Sequence, residues 1–334
     1  FFFPAMFAIA TPPPPDPNDI EADGGRWIML PGDGRVVEYF VFGSERDDAS
    51  ILVDCPGGGC TGALAGRLPG VAEWLREKNV RVISPSFPGF GRSEVRRGWT
   101  IGEWPRTDLE PILEKEGVAG PFAVTGTSFG GPHAMAAAVH FGPDRVGFLG
   151  LRVPYIDWAV SEEVGLPLRQ AEMQYTSVSA NTTLVGHVAG RAMMAMCANP
   201  AGYFDEPSLL QRAFLNFLQP KALANISKLN EEHADTMQCI KEDLKRGVVC
   251  SGQGWLYMSA TDMLLDQKFD VRNIDSGIAV VVWYADDDED CPPSHGAWLV
   301  KELGAKSSRV FSGLGHIGAA FVDHVQFLEE VMMA

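Results

Sequence analysis

Positive charge is scarce in this chain of 334 residues: 27 Lys and Arg face 43 Asp and Glu, a formal net charge of −16. Nucleic acid and anionic membrane both select positive surfaces, so neither is expected as a main partner. The plain consequence of the acidity is solubility. Long apolar runs are missing too. The apolar stretch at residues 1–10 is too short to span a bilayer as a helix, has no basic n-region and is interrupted by Pro4. Its Ala8-Ile9-Ala10 end is compatible with the remnant of a signal peptide or with a simple tail. No other segment reads as an integral membrane span. The six cysteines (Cys55, Cys60, Cys197, Cys239, Cys250 and Cys291) form no CxxC pair and no metal-ligand spacing. They read as core or loop residues of a reducing compartment, which makes the cytoplasm the expected location. No G-x-x-x-x-G-K-[ST] loop is present, which removes nucleotide triphosphate hydrolysis, and no internal repeat is seen.

What is present is an ordinary globular composition, 46% hydrophobic and 21% charged, long enough to bury a core without disulfides. Residues 11–25 are rich in Pro, Asp and Gly and are expected to form an extended lead-in. Residues 26–30 and 36–42, parted by Pro31-Gly32-Asp33-Gly34, read as a hairpin. Apolar strands then alternate with helices. Strands are expected at 51–55, 80–84, 122–125 and 146–153, with helices at 71–78, 109–116 and 132–141. The alternation resumes with a strand at 278–284, a helix at 294–303, a strand at 308–311 and a helix at 321–331. Such alternation implies an α/β fold, a mostly parallel sheet flanked by helices. Between about 155 and 270 strand signals almost vanish. Leu209, Leu210, Ala213, Phe214, Phe217 and Leu218 recur at helical spacing, and 221–246 and 253–264 also read as helices. The expected organisation is therefore a tail at 1–25, a core at 26–154 and 270–334, and an all-helical lid insertion at 155–269.

The chemistry centres on Gly126-Thr127-Ser128-Phe129-Gly130, a G-x-S-x-G pentapeptide between an apolar strand and an Ala-rich helix. A nucleophilic serine needs such a turn, because its hydroxyl must stand clear of the sheet on a strained backbone. The helix N-terminus behind it puts free N–H groups near developing negative charge. A base is needed as well. His316, in Gly313-Leu314-Gly315-His316-Ile317-Gly318, follows the expected last strand and so falls on the same rim of the sheet. His324 reads as structural, and His133, five residues after Ser128, is expected to point away. An orienting acid is available in Asp286-Asp287-Asp288-Glu289-Asp290, after strand 278–284. The run also reads as a solvated acidic loop or a weak cation site, but it lacks the alternating spacing and glycine of a calcium loop. For the oxyanion hole, one donor is expected from the N–H of Phe129. The other is expected from the glycine-rich loop after 51–55, with Gly58 the candidate.

These motifs resemble those of the α/β-hydrolase superfamily. Pro88-Gly89-Phe90-Gly91-Arg92-Ser93 looks like the family's P-G-x-G-x-S loop, and Gly126–Gly130 like its nucleophile elbow. Ala285-x-x-Asp288-x-x-x-Pro292 is similar to the family's acid loop, and Gly315-His316 to its base loop. The resemblance implies a Ser128, Asp288, His316 triad with Asp287 or Asp157 as fallback acids, and it makes the helical insertion a lid. Two departures stand out: Pro56-Gly57 occupies the place of the family's His-Gly, and Ala285 replaces a glycine. The activity implied is hydrolysis of a small, hydrophobic carboxylic ester through an acyl-enzyme, with a small-molecule substrate as partner and no cofactor or metal. Two alternatives stay open. One is a non-catalytic ligand receptor of the same fold; the other is a carbon–carbon bond hydrolase or aminopeptidase with the same triad. A dinucleotide-binding reading of Gly57-Gly58-Gly59-Cys60-Thr61-Gly62 fails, because the next strand ends in Pro85-Ser86 with no acid for a ribose.

Overall fold

Runs of β-branched and aromatic residues set the sheet. The structure is a computed structural model that describes residues 12–96, 98–156, 158–165, 191, 194–209, 212, 221–250, 252–255 and 267–333. Its strands are β1 (Arg26–Met29), β2 (Val36–Gly43), β3 (Ser50–Cys55), β4 (Val80–Pro85), β5 (Phe122–Thr127), β6 (Val146–Arg152), β7 (Ala279–Ala285) and β8 (Ser307–Phe311). They form one eight-stranded sheet in the order β1-β2-β4-β3-β5-β6-β7-β8. The β1–β2 and β2–β4 pairs are antiparallel and the rest are parallel. All six residues of β5 are buried, as expected of a strand covered on both faces.

Strand β3 has β4 on one side and β5 on the other, so the order of connection reverses there. Open α/β sheets bind ligands in the crevice at such a point, outside the carboxyl ends of the strands. The Gly57–Gly59 loop leaves β3 at that edge and Ser128 leaves β5 beside it, with Cys55 and Gly126 paired across the two strands. Behind Ser128 the helix Gly130–Phe141 returns over the sheet, with Ala134, Met135, Ala136, Ala137 and Ala138 all buried.

Three local expectations need correction. The lead-in is not simply extended: Pro17–Ala22 is a short helix capped by Asp16, and its Ile20 is fully buried. The helix expected at 321–331 starts only at His324 and runs to Met333, and an unexpected helix, Gly315–Phe321, precedes it, the two parted where Asp323 turns to φ 58°. The helix expected at 221–246 is likewise split, into Ala222–Glu232 and Ala234–Gly247, at the non-helical backbone of His233. Between β6 and β7 the described residues are helical or irregular and include no strand. The helix expected at 253–264 and the repeat through Leu210, Ala213, Phe214, Phe217 and Leu218 lie almost wholly outside the described residues. Among the described residues no helix is long and apolar enough to cross a membrane, and all six cysteines are free thiols.

Candidate active site

The turn after β5 carries Ser128 at φ 52°, a left-handed conformation that costs a non-glycine residue about 1–2 kcal/mol. Its surroundings hold it there. The Ser128 amide donates to the Arg152 carbonyl at 2.9 Å, and the Ser128 carbonyl accepts from the Gly131 amide at 2.8 Å. The flanking glycines allow close backbone approach. A Cβ at Gly126 would lie 2.4 Å from the Gly130 carbonyl oxygen, and one at Gly130 would lie 2.0 Å from that of Cys55. The result is a half-buried serine raised over the sheet's carboxyl edge.

His316 reaches it from the first turn of the helix Gly315–Phe321. Ser128 Oγ and His316 Nε2 are 2.8 Å apart, and His316 Nδ1 and Asp288 Oδ2 are also 2.8 Å apart. Asp288, only 1% exposed, is an acceptor on that side, so Nδ1 carries the proton and Nε2 is left to accept from the serine. The other oxygen of Asp288 accepts from the Asp290 and Cys291 amides, each at 2.8 Å, which fixes the carboxylate's direction. Burial alone would push the His316 pKa down. The Asp288 carboxylate outweighs it and holds the His316 pKa well above the ordinary histidine range. Burial pushes the Cys291 thiol up to about 11, so it is uncharged at neutral pH and Asp288 supplies the charge.

The neighbouring acid is used differently. Both oxygens of Asp287 lie 3.2 Å from the Gly315 amide, and one lies 3.3 Å from Asn225 Nδ2. Asp287 therefore tethers the loop that carries the histidine and does not meet the ring. Asp157 lies outside the described residues. Of the other histidines, His133 is fully buried behind the elbow; its Nδ1 donates to the Phe129 carbonyl at 2.9 Å and its ring stacks on Phe87. Burial pushes its pKa down to about 3, so it is neutral. His324 starts the last helix and is buried beside Arg152; burial, then that positive charge, pushes it down to about 3.

Phe129 follows Ser128 at the start of the helix, and Gly58 sits on the turn Gly57–Cys60, which the Cys60 amide closes onto the Gly57 carbonyl at 3.1 Å. Gly57 of this turn lies beside the serine: a Cβ there would lie 3.8 Å from that of Ser128. Among the described residues, no hydrogen bond occupies the amides of Phe129 and Gly58.

Arg152, at the end of β6, is a feature the sequence reading passed over. It is fully buried, and its guanidinium donates to the carbonyls of Ala319 and Val322 at distances down to 2.6 Å. Its side chain thus holds the end of the His316 helix while its backbone holds Ser128. The only signal was an arginine closing an apolar strand.

A model of the alpha/beta hydrolase family matches residues 51–330. The chain belongs to the alpha/beta hydrolase family. That span of the hydrolase contains Ser128, Asp288 and His316. Among solved structures it is similar to the esterase RhEst1 from Rhodococcus sp. ECU1013, at 18% identity and a TM-score of 0.62, over 93% of this chain and 98% of that one. A hydrolase from Pseudomonas aeruginosa PA01 aligns at 17% identity and a TM-score of 0.62, over 94% and 100%. The enol-lactonase from Burkholderia xenovorans LB400 aligns at 15% identity and a TM-score of 0.57, over 92% and 100%. At these identities the likeness is one of fold. No protein of curated function matches the sequence of this hydrolase.

Proposed function

We propose that the chain is a serine hydrolase that cleaves small, hydrophobic carboxylic esters through an acyl-enzyme. The observation that carries this reading is the relay of two 2.8 Å contacts from Ser128 through His316 to Asp288. Ser128 Oγ attacks the ester carbonyl and His316 Nε2 takes its proton. Asp288 keeps the other ring nitrogen protonated and stabilises the imidazolium. The amides of Phe129 and Gly58 donate to the oxyanion of the tetrahedral intermediate. His316 then protonates the departing alcohol, and the same steps with water release the acid. The segment 155–269 acts as the lid over this crevice.

Ester chemistry fits the esterases and the enol-lactonase among the structural neighbours. The apolar part of the substrate is supported by the aromatic side chains beside the Gly57–Gly59 turn. Phe321 stands by Gly57 and Ser128, and Trp255 packs against Gly59 and, edge to face, on Phe90. Each buried methylene should add up to ~0.8 kcal/mol of binding, so kcat/KM should rise from C2 to C4 to C6 p-nitrophenyl esters before levelling off. A steady fall from acetate onward, after correction for solubility, would replace the apolar pocket with a small or polar one.

A further inference from the structure

The helix Ala234–Gly247 belongs to the insertion, yet its last turn is built into the floor of the core. Asp243, fully buried, accepts from the Thr61 amide at 2.7 Å and from the Thr61 hydroxyl at 2.6 Å. Thr61 directly follows the turn Gly57–Cys60. Three residues on from Asp243, Arg246 lies between Asp23 and the buried Glu38, 3.3 and 3.5 Å from their oxygens. At Gly247 the helix backbone meets two loops at once. Its carbonyl accepts from the Gly91 amide at 3.0 Å, and a Cβ at this position would lie 2.0 Å from the Gly59 carbonyl oxygen.

We infer that Asp243 is a positioning residue: through Thr61 it holds the turn that presents the Gly58 amide to the substrate oxygen. This rests on the reading of Ser128 as the nucleophile with Gly58 as an oxyanion donor. The turn itself is weakly self-supporting. It contains three successive glycines, and Gly59 sits at φ 81°, so its ordered state is entropically costly. A bidentate carboxylate on the next residue removes that freedom without touching substrate. The rest of the anchoring is local to the same strut: Thr61 Oγ1 also accepts from the Ala63 amide at 3.2 Å, and the Gly62 amide donates to Ser86 Oγ at 3.1 Å. Burial pushes the Asp243 carboxyl up to about 6, and the two Thr61 hydrogen bonds act against it.

The consequence is a link between lid and chemistry. Loss of the Asp243 carboxylate lets the Gly58 amide drift from where the oxyanion forms. Misplacement of a catalytic group by about 1 Å costs on the order of 100-fold in rate. Asp243→Ala should therefore lower kcat for a p-nitrophenyl ester by about 10- to 100-fold with KM within about threefold. Affinity for a trifluoromethyl ketone, which forms the tetrahedral adduct on the serine, should weaken by a matching factor. Asp243→Asn, which still accepts from the Thr61 amide, should recover most of kcat. A merely structural role would lower the melting temperature while leaving kcat per folded active site and ketone affinity in place. If Asp243→Ala does not fold, Thr61→Val, which removes the hydroxyl's bonds to Asp243 and to the Ala63 amide but keeps the Thr61 amide on Asp243, should lower kcat by about 3- to 10-fold with the same parallel loss of ketone affinity. A folded variant within twofold of the native chain in both measurements overturns the inference alone. A native chain that neither turns over esters nor binds the ketone overturns the reading of Ser128 and the inference with it.

Discussion

Asp288 Oδ2 stands 2.8 Å from Nδ1 of His316, while the adjacent Asp287 is spent on the amide of Gly315. Two neighbouring carboxylates thus serve the same histidine in different ways. One orients the ring, and the other fixes the loop that carries it. Asp288→Asn should lower kcat by about 10⁴-fold, because an amide can donate to Nδ1 and hold the wrong tautomer. Asp287→Ala should cost far less in kcat and appear chiefly as lost stability of the loop. Steady-state kinetics beside thermal melts of both variants separate the two roles. Equal, mild effects on kcat would remove Asp288 as the acid.

The same pair sets a pH dependence. His316 must be neutral to accept the serine proton, and its pKa is held well above the ordinary histidine range by Asp288. Activity is therefore low where the ring is charged and rises with pH through that pKa. The acid limb of kcat/KM should have its midpoint above the ordinary value of about 6.5. The residual activity of Asp288→Asn should have its limb at lower pH, since the carboxylate charge is gone. A profile of both chains from pH 5 to 10 tests this; a native limb at or below 6.5, or one that the variant leaves in place, contradicts it.

Much of this site was legible because parallel strands all deliver their following loops to one edge of the sheet. A strand-turn-helix context around Ser128, and a histidine after the last strand, were enough to put both on one rim. The choice of Asp288 over Asp287 came from resemblance alone, since four aspartates crowd one short run and pattern cannot say which turns inward. What stayed hidden depends on pairings remote in sequence. Asp243 and Thr61 are 182 positions apart, and neither carries a motif. The breaks at His233 and Asp323 were equally invisible, because neither Gly nor Pro marks them and the apolar spacing runs on across each.

Arg152 offers a test of how the base helix is held. It is buried and has no ion-pair partner among the described residues; carbonyl oxygens of Ala319 and Val322 take its hydrogen bonds instead. Arg152→Met keeps much of the volume but leaves those carbonyls unmet, at about 1–3 kcal/mol each. Urea unfolding should show a loss of about 2–5 kcal/mol in stability. An unchanged midpoint and slope would mean that the guanidinium contributes nothing to holding the helix.

The central claim is that Ser128 is the nucleophile, and a covalent probe reads it directly. The native chain, treated with a fluorophosphonate and measured by intact mass and peptide mapping, should take up one phosphonyl group, on Ser128. Prior protonation of His316 at low pH should slow the labelling, and Ser128→Ala should neither label nor turn over esters above background. Labelling at another residue, or a Ser128→Ala variant that keeps near-native esterase activity, would contradict the account at its root.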